Sequence, residues 1–276
     1  SVIPEFEKTN TFLQSGAPQV HVLLEVLNSL LREILLRFVK PSVIKSSCEL
    51  TDIDYKSSGN QRDDDDLVIG SQTLQILERQ KIADKQQFLT RVRRFFVVVS
   101  NYIILKFPLK SEILKKAEVA RLSSIVTAKF ADVRYFINRF PVLLPVSEGQ
   151  DDDSDLDDIQ AQFSRLQLEE LPVQVTTQVR IDEQWHAIAS IQDIDRTFKY
   201  DKISKVMLGI LTLPHSNADC ERVFSKVKKT CTQFRSSMSK KSLEQLLVVK
   251  CKESVVCHNQ VFDKDFLRKA KAATSS

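Results

Sequence analysis

Glycine and proline are scarce in this chain, with 5 and 8 copies among 276 residues. So few chain-breaking residues, beside abundant Leu, Val, Lys and Glu, leave little material for turn-rich architecture and point toward helices. Cysteine is also thin. Cys48, Cys220, Cys231, Cys251 and Cys257 are odd in number and form no CxxC pair, which excludes dense disulfide stapling and favours a reducing compartment. Cys251 with Cys257-His258 could begin a metal-ligand set, but no second cluster with finger-like spacing answers it. Long apolar runs are missing. The longest uncharged one, Phe95 to Leu105, falls well short of the roughly 20 residues a spanning helix needs, so no membrane partner is expected. No signal or transit pattern opens the sequence. It begins Ser1-Val2-Ile3-Pro4 without Met, and the chain is therefore expected to be part of a longer protein.

What is present is ordinary in bulk, with 42% hydrophobic and 28% charged residues, and enough chain for one large or two modest domains. The net charge of +4 hides an asymmetry. Residues 201–276 carry 15 Lys and Arg against 7 Asp and Glu, leaving 25 against 29 upstream from the totals of 40 and 36. A basic C-terminal segment suits contact with phosphates, and it equally suits a solvated helical surface.

Hydrophobic periodicity marks the helices. Leu23, Val26, Leu27, Leu30, Leu31, Ile34, Leu35 and Phe38 recur at three- and four-residue spacing, one face of a helix that Pro41 should stop. Helices follow over about 71–80, 84–106 and 123–140. In the second, Phe88, Val92, Phe95, Phe96, Val99 and Ile103 make the expected core stripe while Arg91, Arg93 and Arg94 crowd one turn. Ser111 can cap a further helix. Between them, Asp63-Asp64-Asp65-Asp66 reads as a solvated loop leading into a helix N-terminus, where its charge suits the dipole.

A second acidic run, from Asp151 to Asp158, holds like charges that repel and cannot bury surface, so a linker is expected there. Three parts result: a helical bundle over 1–146, an acidic linker with short elements over 147–180, and a C-terminal segment over 181–276. Val173 to Val179 hints at a strand. Trp185, the sole tryptophan, reads as a core or interdomain anchor rather than a base-stacking platform.

The most informative stretch is Leu213-Pro214-His215-Ser216-Asn217-Ala218-Asp219-Cys220-Glu221-Arg222-Val223-Phe224-Ser225. Ser216 stands three residues before Asp219, the spacing of a capping box. Cys220, Val223, Phe224, Val227 and Cys231 form one apolar stripe, with Glu221 at its edge. Such a carboxylate can point into a cleft, or can simply favour the helix dipole in the first turns. Ser239 can cap a last helix whose Leu246, Leu247, Val248 and Val249 cover most of its circumference, which calls for burial on several sides.

Pro214, Ser216, Glu221-Arg222-Val223-Phe224-Ser225, Arg235-Ser236-Ser237 and the helix from Leu243 to Lys250 together resemble the C-terminal dimerisation region of hAT-superfamily transposases, over roughly residues 200–252. Phe6-Glu7-Lys8-Thr9-Asn10 with Leu13-Gln14, and the long apolar helix after them, resemble that family's helical insertion region. The resemblance implies a mainly α chain, a helical bundle followed by the C-terminal part of a ribonuclease H-like fold with little strand. Glu221 takes the place of the third catalytic carboxylate, the other two being expected upstream of Ser1. On that reading the triad is incomplete, no metal is held in isolation, and Mg is expected only in a complete transposase. The chain is then no enzyme by itself and takes neither a cofactor nor a small-molecule substrate. Val223, Phe224, Leu243, Leu246, Leu247 and Val248 would join two copies into a homodimer, and Arg222, Lys228, Lys229 and Arg235 would reach DNA. A nuclear location and a domesticated, transposase-derived role go with this. The alternative is a truncated active transposase.

Overall fold

The computed structural model describes residues 2–79, 82–144, 152–231, 239–251 and 263–274. They are mainly helical. No strand occurs among them, only the isolated antiparallel bridges Val39–Gln61 and Gln192–Phe198. The mainly α expectation therefore holds, whereas the ribonuclease H-like part of it finds no support in the described residues. No described helix is long and apolar enough to cross a membrane. The chain divides into two compact units, Ser1–Ser216 and Asn217–Ser276.

The first unit is built on the periodic helix. After α1 (Ile3–Leu13), α2 (Val20–Leu36) buries Leu23, Leu27, Leu30, Leu31, Ile34 and Leu35, with Phe38 and Val39 just beyond its end. The chain leaves this helix before the proline, and Pro41 opens the short α3 (Pro41–Ser46), where its missing N–H costs nothing. The polar segment after it is tied back by backbone hydrogen bonds, from Arg62 N–H to Phe38 O at 2.8 Å and from Val68 N–H to Arg37 O at 3.0 Å.

Beyond α4 (Ser71–Glu78) comes α5 (Ile82–Lys106). Its interior face is Leu89, Phe96, Ser100 and Ile103. Phe88 and Phe95, expected in the core stripe, are exposed instead. The helix is apolar on two faces, and the more fully buried one is offset by a residue from the stripe that spacing suggests. Arg93 turns inward to Asp64, at 2.6 Å, and Lys85 reaches Asp65 at 3.7 Å. The 63–66 acidic run therefore complements cations of α5, with Gly70 between it and the start of α4, rather than serving a helix N-terminus.

α6 (Glu112–Ala117) carries Ser111 at its N-cap without a side-chain cap bond. The next predicted helix starts late: Leu122–Thr127 is a 3-10 turn with Val126 exposed, and α7 is Phe130–Arg139.

The second acidic run is no linker in the described residues. It forms the first turns of α8 (Asp152–Leu168), which buries Ile159, Phe163 and Leu166. Asp155 faces inward, where Lys202 meets it at 2.7 Å, and Asp158 receives the same ammonium at 2.5 Å. Asp157 and Asp158 are not fully buried, so the repulsion is dissipated in water, and acidic residues in first turns suit the dipole.

The Val- and Thr-rich run is also helical, as α9 (Val173–Thr176), with Val175 buried. β-propensity is context-dependent, and this run has no partner strand among the described residues. α10 (Ile181–Ala189) and α11 (Asp201–Leu211) close the unit, with Trp185, Ile188, Ile203, Val206, Met207 and Ile210 buried. Trp185 is a core anchor, its Nε1–H donating to Ala120 O at 2.8 Å.

Candidate dimerisation surface

The second unit begins with α12 (Ala218–Thr230), which packs against α13 (Lys240–Cys251); α14 (Lys264–Thr274) follows. The cap of α12 lies one residue later than the capping box suggests. Asn217 holds the N-cap without a side-chain cap bond, while the Ser216 hydroxyl donates to Leu13 O at 2.5 Å in the first unit. Asp219 and Glu221 lie in the first turn and Lys228 and Lys229 in the last, so both ends oppose the helix dipole favourably. Ser239 does cap α13, accepting from Ser242 N–H at 3.2 Å.

The apolar stripe of α12 is on the surface. Cys220, Val223 and Cys231 are exposed, Val227 is half-buried, and Phe224 stands 65% exposed. α13 continues the pattern: Leu243 and Leu247 are half-buried, Leu246 is exposed and Val248 is 56% exposed. Uncovered side chains of this size on neighbouring helices are what a protein–protein contact uses.

The charged candidates have simpler surroundings. Glu221 is exposed, and the carboxylate nearest in sequence, Asp219, is ion-paired to Arg222. No group of three potential ligands that could hold a metal ion occurs among the described residues. One open carboxylate does not make a metal site. Lys228 and Lys229 are exposed. Arg235 lies outside the described residues, as do Cys257 and His258. A cleft of about 640 Å³ in the first unit, bordered by His21, Arg121, Arg180 and Gln184, is no stronger a site. Its two arginines already pair with Glu25 and Asp182.

Residues 168–252 match the hAT family C-terminal dimerisation region. Over these residues the likeness to the C-terminal part of a hAT-family transposase is shown, and it starts well before residue 200, taking in α9, α10 and α11 of the first unit. Sequence reading missed that earlier part because a Val/Thr run taken for a strand stood in place of α9. No curated protein matches the chain, and no solved structure does.

Proposed function

We propose that this chain is a pairing module of hAT-transposase type that joins two copies through α12 and α13. The observation that carries the reading is the exposure of Val223, Phe224, Leu246 and Val248 inside the segment that matches a dimerisation region. Leu243 and Leu247 flank them and complete the contact. Such a contact gains from removing apolar surface from water, on the order of 25 cal/mol per Å². Sedimentation of the unaltered chain against a Leu246→Asp, Leu247→Asp variant tests it. The unaltered chain should exceed 31.6 kDa, and the variant should weigh less at equal concentration. An unaltered chain at the monomer mass, or a variant of unchanged mass, overturns the proposal.

Arg222, Lys228, Lys229 and Arg235 extend the proposal to DNA, supported by the exposed lysines closing α12. Binding that does not weaken as salt rises would count against phosphate contact. A nuclear location belongs to the same reading and is checked by imaging a tagged chain in cells. In the second reading, that of a transposase whose remaining carboxylates lie elsewhere, Glu221 is the third carboxylate and Mg enters only with the other two. Strand-transfer activity lost on Glu221→Gln in a longer protein would favour it.

A further inference from the structure

Phe88, Arg91, Phe95, Val98, Tyr102 and Leu105 follow one another along α5 at alternating spacings of three and four, and all are exposed. They form a seam on the side opposite Leu89, Phe96, Ser100 and Ile103, which fill the core. A repeat of this kind has the spacing that seats a second helix, because it recurs every seven residues on one side. The uncovered fractions are large, 47% for Phe95, 60% for Tyr102 and 71% for Leu105.

We propose that this seam is a second self-association surface, on which α5 of one copy lies antiparallel to α5 of another. Self-complementarity identifies the occupant. In the register that sets Phe95 against Val98 of the second copy, Phe88 meets Leu105 and Arg91 meets Tyr102. Phe88, Phe95, Val98 and Leu105 then each find an apolar partner. The one charged member meets an aromatic face, which attracts a guanidinium. A parallel arrangement would stack Arg91 on Arg91 and is disfavoured by like charge. The antiparallel contact is isologous, so it closes on two copies.

Size supports the same occupant. With aromatic side chains covering roughly 150–250 Å² each, the five apolar members expose on the order of 500 Å² per copy, and pairing removes on the order of 1,000 Å² in total. That reaches the roughly 1,000 Å² expected of a biological contact, at the weak end of the range. The seam lies wholly in the first unit and does not depend on the pairing proposed for α12 and α13.

The test uses the full chain. Sedimentation of the Leu246→Asp, Leu247→Asp variant should still give a dimer, and adding Val98→Asp should weaken that dimer at least tenfold. Val98→Asp alone should lower the mass of the unaltered chain. These arms separate the two surfaces, since the α5 dimer persists whether or not the C-terminal contact exists. A Leu246→Asp, Leu247→Asp variant that is monomeric at every concentration overturns the proposal, as does a mass indifferent to Val98→Asp.

Register has its own readout, which does not depend on the aspartate variant folding. Phe88→Cys combined with Leu105→Cys should form, on mild oxidation, a disulfide linking residues 88 and 105. These positions are about 25 Å apart within one helix at 1.5 Å per residue, so that link must join two chains. Each single variant should fail to link 88 to 88 or 105 to 105. Absence of the 88–105 peptide by mass spectrometry, or equal yields of like-to-like links, overturns the antiparallel register.

Discussion

Lys202 on α11 donates from Nζ to Asp155 on α8 at 2.7 Å, and the Asp155 side chain has no solvent exposure. Burial opposes the charged ammonium, yet the hydrogen bonds to Asp155 and Asp158 outweigh it and raise the Lys202 pKa above its ordinary value. Lys202→Met takes the cation away from a buried carboxylate and should cost about 3–5 kcal/mol in urea unfolding. Asp155→Asn should cost less, because Asp158 still receives the ammonium at 2.5 Å. The folded state holds the lysine proton more tightly than the unfolded chain. This stability is therefore fully present below about pH 10.4 and is lost as pH rises through the higher folded value. A Lys202→Met variant within about 1 kcal/mol of the unaltered chain would remove the basis for this account.

His21 gives the opposite dependence. Burial, helped by the Arg121 guanidinium, pulls its pKa from 6.5 to about 4, and its Nδ1 is buried without a hydrogen-bond partner. The unfolded chain binds a proton at higher pH than the folded one, so stability is full above about 6.5 and falls as pH drops toward 4. Allowing for solvent screening of a partly exposed ring, the loss is about 1–2 kcal/mol. Thermal melts of His21→Gln should show that part of the acid slope flattened, and a variant with the parent's slope would contradict it.

Trp185 offers an optical check. It is the only tryptophan, fully buried, with its indole N–H bonded to Ala120 O. Its emission should be blue-shifted, resistant to acrylamide, and unchanged when single-stranded DNA is added. Trp185→Phe loses ring volume and leaves the carbonyl unpaired, at a cost of about 1–3 kcal/mol. Emission at the wavelength of exposed indole would refute the anchor role.

How far residues alone could reveal these features differs by element. α2 is legible because one face carries most of its apolar side chains and a single period describes that face. α5 was half legible, since two apolar faces on one helix leave spacing unable to say which face meets the core. Phe95 was therefore placed inside when it stands outside. The acidic run of α8 was misread because its neutralising cation, Lys202, lies 47 positions from Asp155, beyond any local pattern. On α12 the motif around Glu221 drew attention to the right helix. Exposure of Phe224 is a property of packing, which spacing along the chain does not encode.

That exposure makes Phe224 the sharpest probe of the C-terminal surface. A side chain 65% exposed contributes little to the fold of its own copy, and substitutions at such sites usually change stability by about 0.5 kcal/mol or less. If it is covered when two copies meet, Phe224→Glu buries a carboxylate against apolar neighbours and should weaken association at least tenfold, about 1.4 kcal/mol. Phe224→Leu keeps an apolar side chain and should retain most of the affinity. Measured together by sedimentation and thermal melting, the pair separates pairing from folding. Phe224→Glu that lowers the melting temperature without altering association would place the ring in the fold of its own unit. Equal association by both variants and the unaltered chain would remove α12 from the interface.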